Sequence, residues 1–88
     1  MIFSLAGGDD WAVGGTGADK FVFKGKFGWD WVDDFNAAEG DRLKIAGAAF
    51  GDLTIGESSR GNATVTYNGN TVELNGIAQG DVDAGWFL

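Results

Sequence analysis

Residues 5–23 read LAGGDDWAVGGTGADKFVF, and two frames of nine residues lie end to end within them. LAGGDDWAV (5–13) is followed by GGTGADKFV (14–22). Gly8 and Gly17 take the same place in each frame, as do Asp10 and Asp19. A third, imperfect frame repeats the Gly-x-Asp-x-apolar part with Gly28, Asp30 and Val32. It trails the second by eleven residues, so two residues are inserted. Each frame sets a flexible acidic bend against a short apolar run, as in KFVF (20–23). Glycine reaches positive φ without a Cβ clash, and aromatic or β-branched residues suit a pleated strand. The frame therefore predicts bend, strand, bend, strand.

The rest of the chain extends the strand reading. WDWVDDF and RLKIA (42–46) are short extended stretches, the second alternating as a half-buried strand does. DLTI (52–55), ATVTY (63–67) and TVEL (71–74) follow. The last two flank Asn68-Gly69, a strong short hairpin signal. No stretch predicts a long helix; one helical turn is expected around Gln79 to Asp83. The expected core is Phe21, Phe23, Val32, Phe35, Leu43, Ile45, Phe50, Leu53, Ile55, Val65, Tyr67, Val72, Leu74, Ile77 and Phe87.

Composition narrows the function classes. The 88 residues allow one small domain with a thin core. There is no Cys, so any staple must be a metal, a partner or a neighbouring domain. There is also no His, which removes the common zinc sites and the Ser-His-Asp and Cys-His arrangements. A net charge of -7 repels nucleic acid and anionic membranes and attracts cations. No apolar run reaches membrane-spanning length, and the N-terminal MIFSLAGG has neither the basic region nor the apolar length of a signal peptide.

The frame resembles the RTX calcium-binding nonapeptide, Gly-Gly-x-Gly-x-Asp-x-U-x with U large and apolar. GGTGADKFVF…DDFNAAEGDRLKIAG is similar to the end of an RTX array running into the C-terminal region of serralysin-type secreted proteases. FGDLTI…NATVTYNGNTVELNGI is similar to the antiparallel strands that close that region. The resemblance implies an all-β fold: a short right-handed parallel β-roll fragment over residues 1–35, then an antiparallel, sandwich-like cap over 36–88. It implies bound Ca2+ held by the bends, with Gly7, Gly8, Asp10, Gly14, Gly15, Gly17, Asp19, Gly28 and Asp30 as the metal-site residues. In that family a coil takes two nonapeptides and an ion lies between successive turns on one side. Asp10 and Asp30 should then lie on adjacent coils, with Asp19 on the other side and no partner turn in this chain. One intrachain site follows, although Leu5 and Ala6 stand where paired glycines are expected and Lys26 and Phe27 interrupt the third turn.

The resemblance further implies a non-catalytic, secreted domain exported by the Gram-negative type I machinery. Its uncleaved signal would include Asp81, Asp83, Trp86, Phe87 and Leu88, and calcium outside the cell would promote its folding. Expected partners are calcium, that machinery, and an upstream domain of the same exoprotein or a second copy. Trp86 and Phe87 can equally fill the core in the folded chain. Trp11, Phe27, Trp29 and Trp31 form an aromatic group with three readings: local packing, an interface, or a platform for sugar. Trp11 and Trp31 share the seventh place of their frames and should stack, facing outward. An alternative function is a stand-alone self-assembling or ligand-binding module that uses this group. Asp33, Asp34, Glu39 and Asp41 read as a solvated loop with capping or turn roles, ahead of a glycosidase-like pair or a second metal site.

Overall fold

In the computed structural model, which describes residues 2–6 and 9–88, the chain is all-β with parallel and antiparallel sheets. The first five strands are β1 (Ile2–Ala6), β2 (Trp11–Ala12), β3 (Lys20–Lys24), β4 (Trp29–Val32) and β5 (Arg42–Ile45). They alternate between two sheets: β1, β3 and β5 are neighbours in one, β2 and β4 in the other. All these pairings are parallel. Ile2 pairs with Lys20 and Lys20 with Arg42, while Trp11 pairs with Trp31. Each strand thus pairs in parallel with the next but one in sequence.

The cap is built from β6 (Thr54–Glu57), β7 (Ala63–Tyr67) and β8 (Asn70–Leu74). They pair antiparallel in the order β8-β7-β6, and β8 docks parallel on β4 with Thr71 opposite Trp29. β7 and β8 join through Asn68 and Gly69, with φ of 55° and 83°. Two positive φ values in a two-residue loop are the turn whose twist matches the strands. At the far edge of the first sheet, Phe87 bridges Leu43 in parallel and Leu88 N–H donates to the Leu43 carbonyl at 2.8 Å. Among the described residues, no helix is long and apolar enough to cross a membrane.

The core lies between the sheets. Ala12, Phe21 and Val32, the apolar positions two after each frame's Asp, are all buried. Phe23, Phe35, Leu43, Ile45, Val65, Val72 and Leu74 join them as expected. Leu53, Ile55, Tyr67, Ile77 and Phe87 pack around that core only half-buried. Phe50 is also half-buried and meets Phe87 at 5.1 Å.

Two expectations are corrected. The parallel coil does not end at residue 35: Arg42–Ile45 is the third strand of the first sheet, because Gly40-Asp41-x-Leu43 repeats the bend-and-strand frame. Phe27 is not an exposed aromatic. It turns inward, 1 % exposed, with its ring 5.5 Å from that of Phe23.

The hairpin turn gives a direct check. Gly69→Ala places a Cβ in the left-handed region at a cost of about 1–2 kcal/mol. The melting temperature should fall by roughly 5–10 °C in a calorimetric scan, while an Ala at the exposed, ordinary-φ position Gly80 should leave it nearly unchanged.

Candidate functional site

The acidic bends meet across adjacent coils. Asp10 N–H donates to Asp30 Oδ1 at 2.8 Å, and Trp31 N–H donates to the Asp10 carbonyl at 2.9 Å. Asp10 and Asp30 therefore lie on neighbouring coils. On the opposite side, Asp19 N–H donates to Asp41 Oδ1 at 2.7 Å. Asp19 thus has a partner turn within the chain, contrary to expectation; the partner is the frame at Gly40–Leu43, masked by its wider spacing.

The same device recurs around the coil. Gly14 and Gly15 N–H donate to the two oxygens of Asp34, at 2.7 and 2.6 Å. Trp29 N–H donates to Asp9 Oδ1, and Gly28 N–H to Asn70 Oδ1. Gly14 also makes room: a Cβ there would lie 2.5 Å from Asp19 Oδ2 and 2.9 Å from the Phe21 ring. Gly17 has φ of 86° and is exposed. Gly7 and Gly8 lie outside the described residues.

The acidic connection is solvated at residues 36 and 38–40, but its aspartates are bound into the fold. Asp41 is fully buried and takes both Asp19 N–H and, through Oδ2, Asn36 N–H at 2.9 Å. Asp33 accepts from Asn75 Nδ2 at 2.9 Å and from the Trp31 indole at 3.4 Å. Glu39 alone remains exposed, in the 3-10 turn Ala37–Glu39.

The two sides differ in what they leave over. Asp41 spends both oxygens on amides. Asp30 is fully buried on the inner face of β4, yet among the described residues its Oδ2 has no hydrogen-bond partner. Burial pushes its carboxyl up to about 6 against the bond from Asp10, and the charges of Asp10 and Asp9 add to the rise. A buried carboxylate with a spare oxygen, two acids beside it and a bend of glycines before it suits a hard cation. Among the described residues no three acidic side chains converge at metal distance. An ion here must then draw on backbone carbonyls, as glycine bends permit. At Asp41, by contrast, each carboxylate oxygen already meets an amide donor.

The outer face of β4 carries the other candidate residues. Trp29 is 49 % exposed and Trp11 71 %, while Trp31 is half-buried. Trp11 and Trp31 are register neighbours facing outward, but their rings do not stack: the Arg60 guanidinium lies 4.6 Å over the Trp31 ring. At the tail, Asp81 closes the 3-10 turn Gln79–Asp81 and Asp83 accepts from Gly85 N–H at 2.9 Å. Trp86 packs on Phe35 at 5.1 Å, and Leu88 is exposed. Sequence reasoning passed over Asp9, Asn70 and Glu73 as acceptors, and gave Asp34 and Asp41 only local capping or turn roles. For Asp41 a signal existed, the Gly-Asp-x-Leu frame; for Asn70 and Glu73 the pairing is too distant in sequence to read.

No family model matches this chain, and a search among curated proteins returns no match.

Two outcomes check the electrostatics. Asp41→Ala leaves the Asp19 and Asn36 amides without their acceptor and should cost about 2–4 kcal/mol in urea unfolding; Glu39→Ala should cost under about 0.5 kcal/mol. Asp30 has a folded pKa raised above its ordinary 3.8. Its burial is tolerated below about pH 4 and progressively destabilises the fold as pH rises through about 6. In chelator, Asp30→Asn should therefore match or exceed the wild type near pH 7–8, by on the order of 2 kcal/mol, and lose that advantage near pH 4.

Proposed function

We propose that this chain is a non-catalytic, calcium-binding RTX module. In this reading the alternating strands form a short right-handed parallel β-roll, the β6–β8 ladder is its antiparallel cap, and the last residues carry a type I secretion signal. The observation that carries the reading is Asp30, a fully buried carboxylate with a spare oxygen, hydrogen-bonded to the Asp10 bend of the adjacent coil. Asp10 and Asp30, with the bends at Gly7–Gly8 and Gly28, would hold the ion. Calcium supplies the positive charge that this acidic end of the coil lacks.

The chain's own residues set the direction of the response. Asp9, Asp10 and Asp30 repel one another when ionised, and the glycine bends carry a large entropy of ordering. A ligand that binds only the folded state stabilises it by RT ln(1 + [L]/Kd), about 2.7 kcal/mol at a hundredfold excess over Kd. An exported protein meets scarce calcium inside the cell and abundant calcium outside, so the same acids favour an open chain before export and a closed one after.

The tail serves both states. Trp86, Phe87 and Leu88 are laid along the β5 edge in the fold, whereas a transporter reads them in the unfolded chain. The opposite edge supports an upstream partner: β1 and β2 are the outermost strands there, with Ile2, Trp11 and Val13 exposed. A preceding coil of the same exoprotein, or a second copy, completes both sheets.

Calcium titration of tryptophan fluorescence tests the reading. Chelated protein should melt lower and gain stability with a midpoint on the order of 0.1–1 mM calcium, and magnesium at equal concentration should do less. Asp30→Asn should abolish the gain. An unchanged melting temperature between excess chelator and saturating calcium overturns the proposal.

A further inference from the structure

The outer face of the β2-β4-β8 sheet holds a second site, separate from the acidic coil end. Two recesses lie side by side on it. One, about 550 Å³, is lined by Trp29, Trp31, Glu57, Ser58, Arg60 and Glu73. The other, about 460 Å³, is lined by Trp11, Trp31, Asp33 and Arg60. Both volumes fall in the range of small-molecule sites. Arg60, seated over the Trp31 ring, stands on the boundary between them.

The polar groups are held in place from behind. Glu73 is only 4 % exposed, although it sits on the outward side of β8 opposite Trp31. Its Oε2 accepts from Ser58 Oγ at 2.9 Å and Asn62 Nδ2 at 2.8 Å. Its Oε1 has no hydrogen-bond partner among the described residues, and the side chain lines the first recess. That oxygen opens to solvent in the recess, where a ligand hydroxyl can take the place of water. Trp31 is fixed by its indole bond to Asp33, which Asn75 holds in turn.

The geometry points to a neutral oligosaccharide, at least two pyranose units long, as the ligand of this double recess. A pyranose has one flat face of C–H groups and a rim of hydroxyls. The exposed Trp29 and Trp11 rings offer flat apolar floors at the two ends. Glu73 Oε1 accepts a hydroxyl proton and Arg60 donates at the junction. Charge selects among competitors. Two carboxylates face one guanidinium in the first recess, on a chain of net charge -7, so nucleotides, uronates and anionic lipids are repelled. Arg60 already takes the Trp31 face that a ligand cation would seek. A purely apolar ligand would strip water from Glu57, Glu73 and Arg60 and return no hydrogen bonds. Preorganised side chains lower the ordering cost of a weak polar ligand. The site does not depend on calcium, and its test stands apart from the calcium titration.

Calorimetric titration of the chain in saturating calcium with cellotetraose, xylotetraose, mannotetraose, chitotetraose and, as an anionic control, tetragalacturonate decides the matter. At least one neutral tetramer should bind with a Kd on the order of 0.1–1 mM and shift tryptophan emission. Trp29→Ala, which trims an exposed ring, should weaken that binding about tenfold or more with an unchanged melting temperature. Glu73→Gln should weaken it about fivefold or more. The inference is overturned if no neutral tetramer binds below about 10 mM, if tetragalacturonate binds more tightly, or if Trp29→Ala binds like the wild type. It is equally overturned if the Trp stripe proves to be a dimer contact, with light scattering showing a dimer that Trp29→Ala dissolves.

Discussion

Each coil of this chain is tied to its neighbour by carboxylates that accept backbone amide hydrogens across the gap. Asp30 receives Asp10 N–H, Asp41 receives Asp19 N–H, and Asp34 receives Gly14 and Gly15 N–H. A stack of bends has no side-chain mass of its own, and its amides point along the stack with nothing to meet. An Asp at the end of each bend meets that need with an ionised acceptor, roughly twice as strong as a neutral one. The bend must also stay thin enough for the carboxylate to reach, which is why a Cβ at Gly14 would collide with Asp19. The strands then inherit their register from the bends. Phe21 sits between Phe3 and Leu43 in the stack because the Asp two residues before it is pinned.

This explains what was legible beforehand and what was not. The frame Gly-x-Asp-x-apolar is local, so Ala12, Phe21 and Val32 could be placed inside and Asp10 beside Asp30 from spacing alone. Asn68-Gly69 is equally local, since two positive φ values in a row admit few residues. The Asp41 coil was hidden by the 3-10 turn at Ala37–Glu39, which stretches the repeat from Asp19 to Asp41. Phe27 looked like one more exposed aromatic because a string of aromatics carries no inward or outward sign by itself. Within β4 alternation gives the sign, with Asp30 and Val32 inside and Trp29 and Trp31 outside; Phe27 lies before the strand, across the positive φ of Gly28, and turns inward. The docking of β8 on β4 pairs residues 42 apart, as in Gly28 with Asn70, and no local rule reaches that far. The burial of Glu73 follows from that docking and was invisible for the same reason.

The charge of the chain looks different once these bonds are known. A net charge of -7 suggests a solvated acidic surface. Much of it is structural instead: Asp9, Asp30, Asp33, Asp34, Asp41 and Glu73 all accept hydrogen bonds that hold bends, an indole or a loop. Carboxylates in that role cannot be exchanged for lysines to balance the charge, because an ammonium offers donors where amides need acceptors. The negative charge is thus a by-product of how the coils are joined, and its concentration along one stack is what a cation would answer.

The contrast between the two sides of the coil locates that answer. Asp41 follows a turn in which Asn36 presents its own amide, so the second carboxylate oxygen is satisfied within the chain. Asp30 follows Gly25–Gly28, where Phe27 swings into the core against Phe23, and among the described residues no donor meets its Oδ2. Burial, with the charges of Asp10 and Asp9, raises its pKa to about 6, and a positive charge from solution would relieve that cost. The wider spacing of the third frame, which weakens the repeat as a motif, thus goes with an acid that a cation from solution would suit.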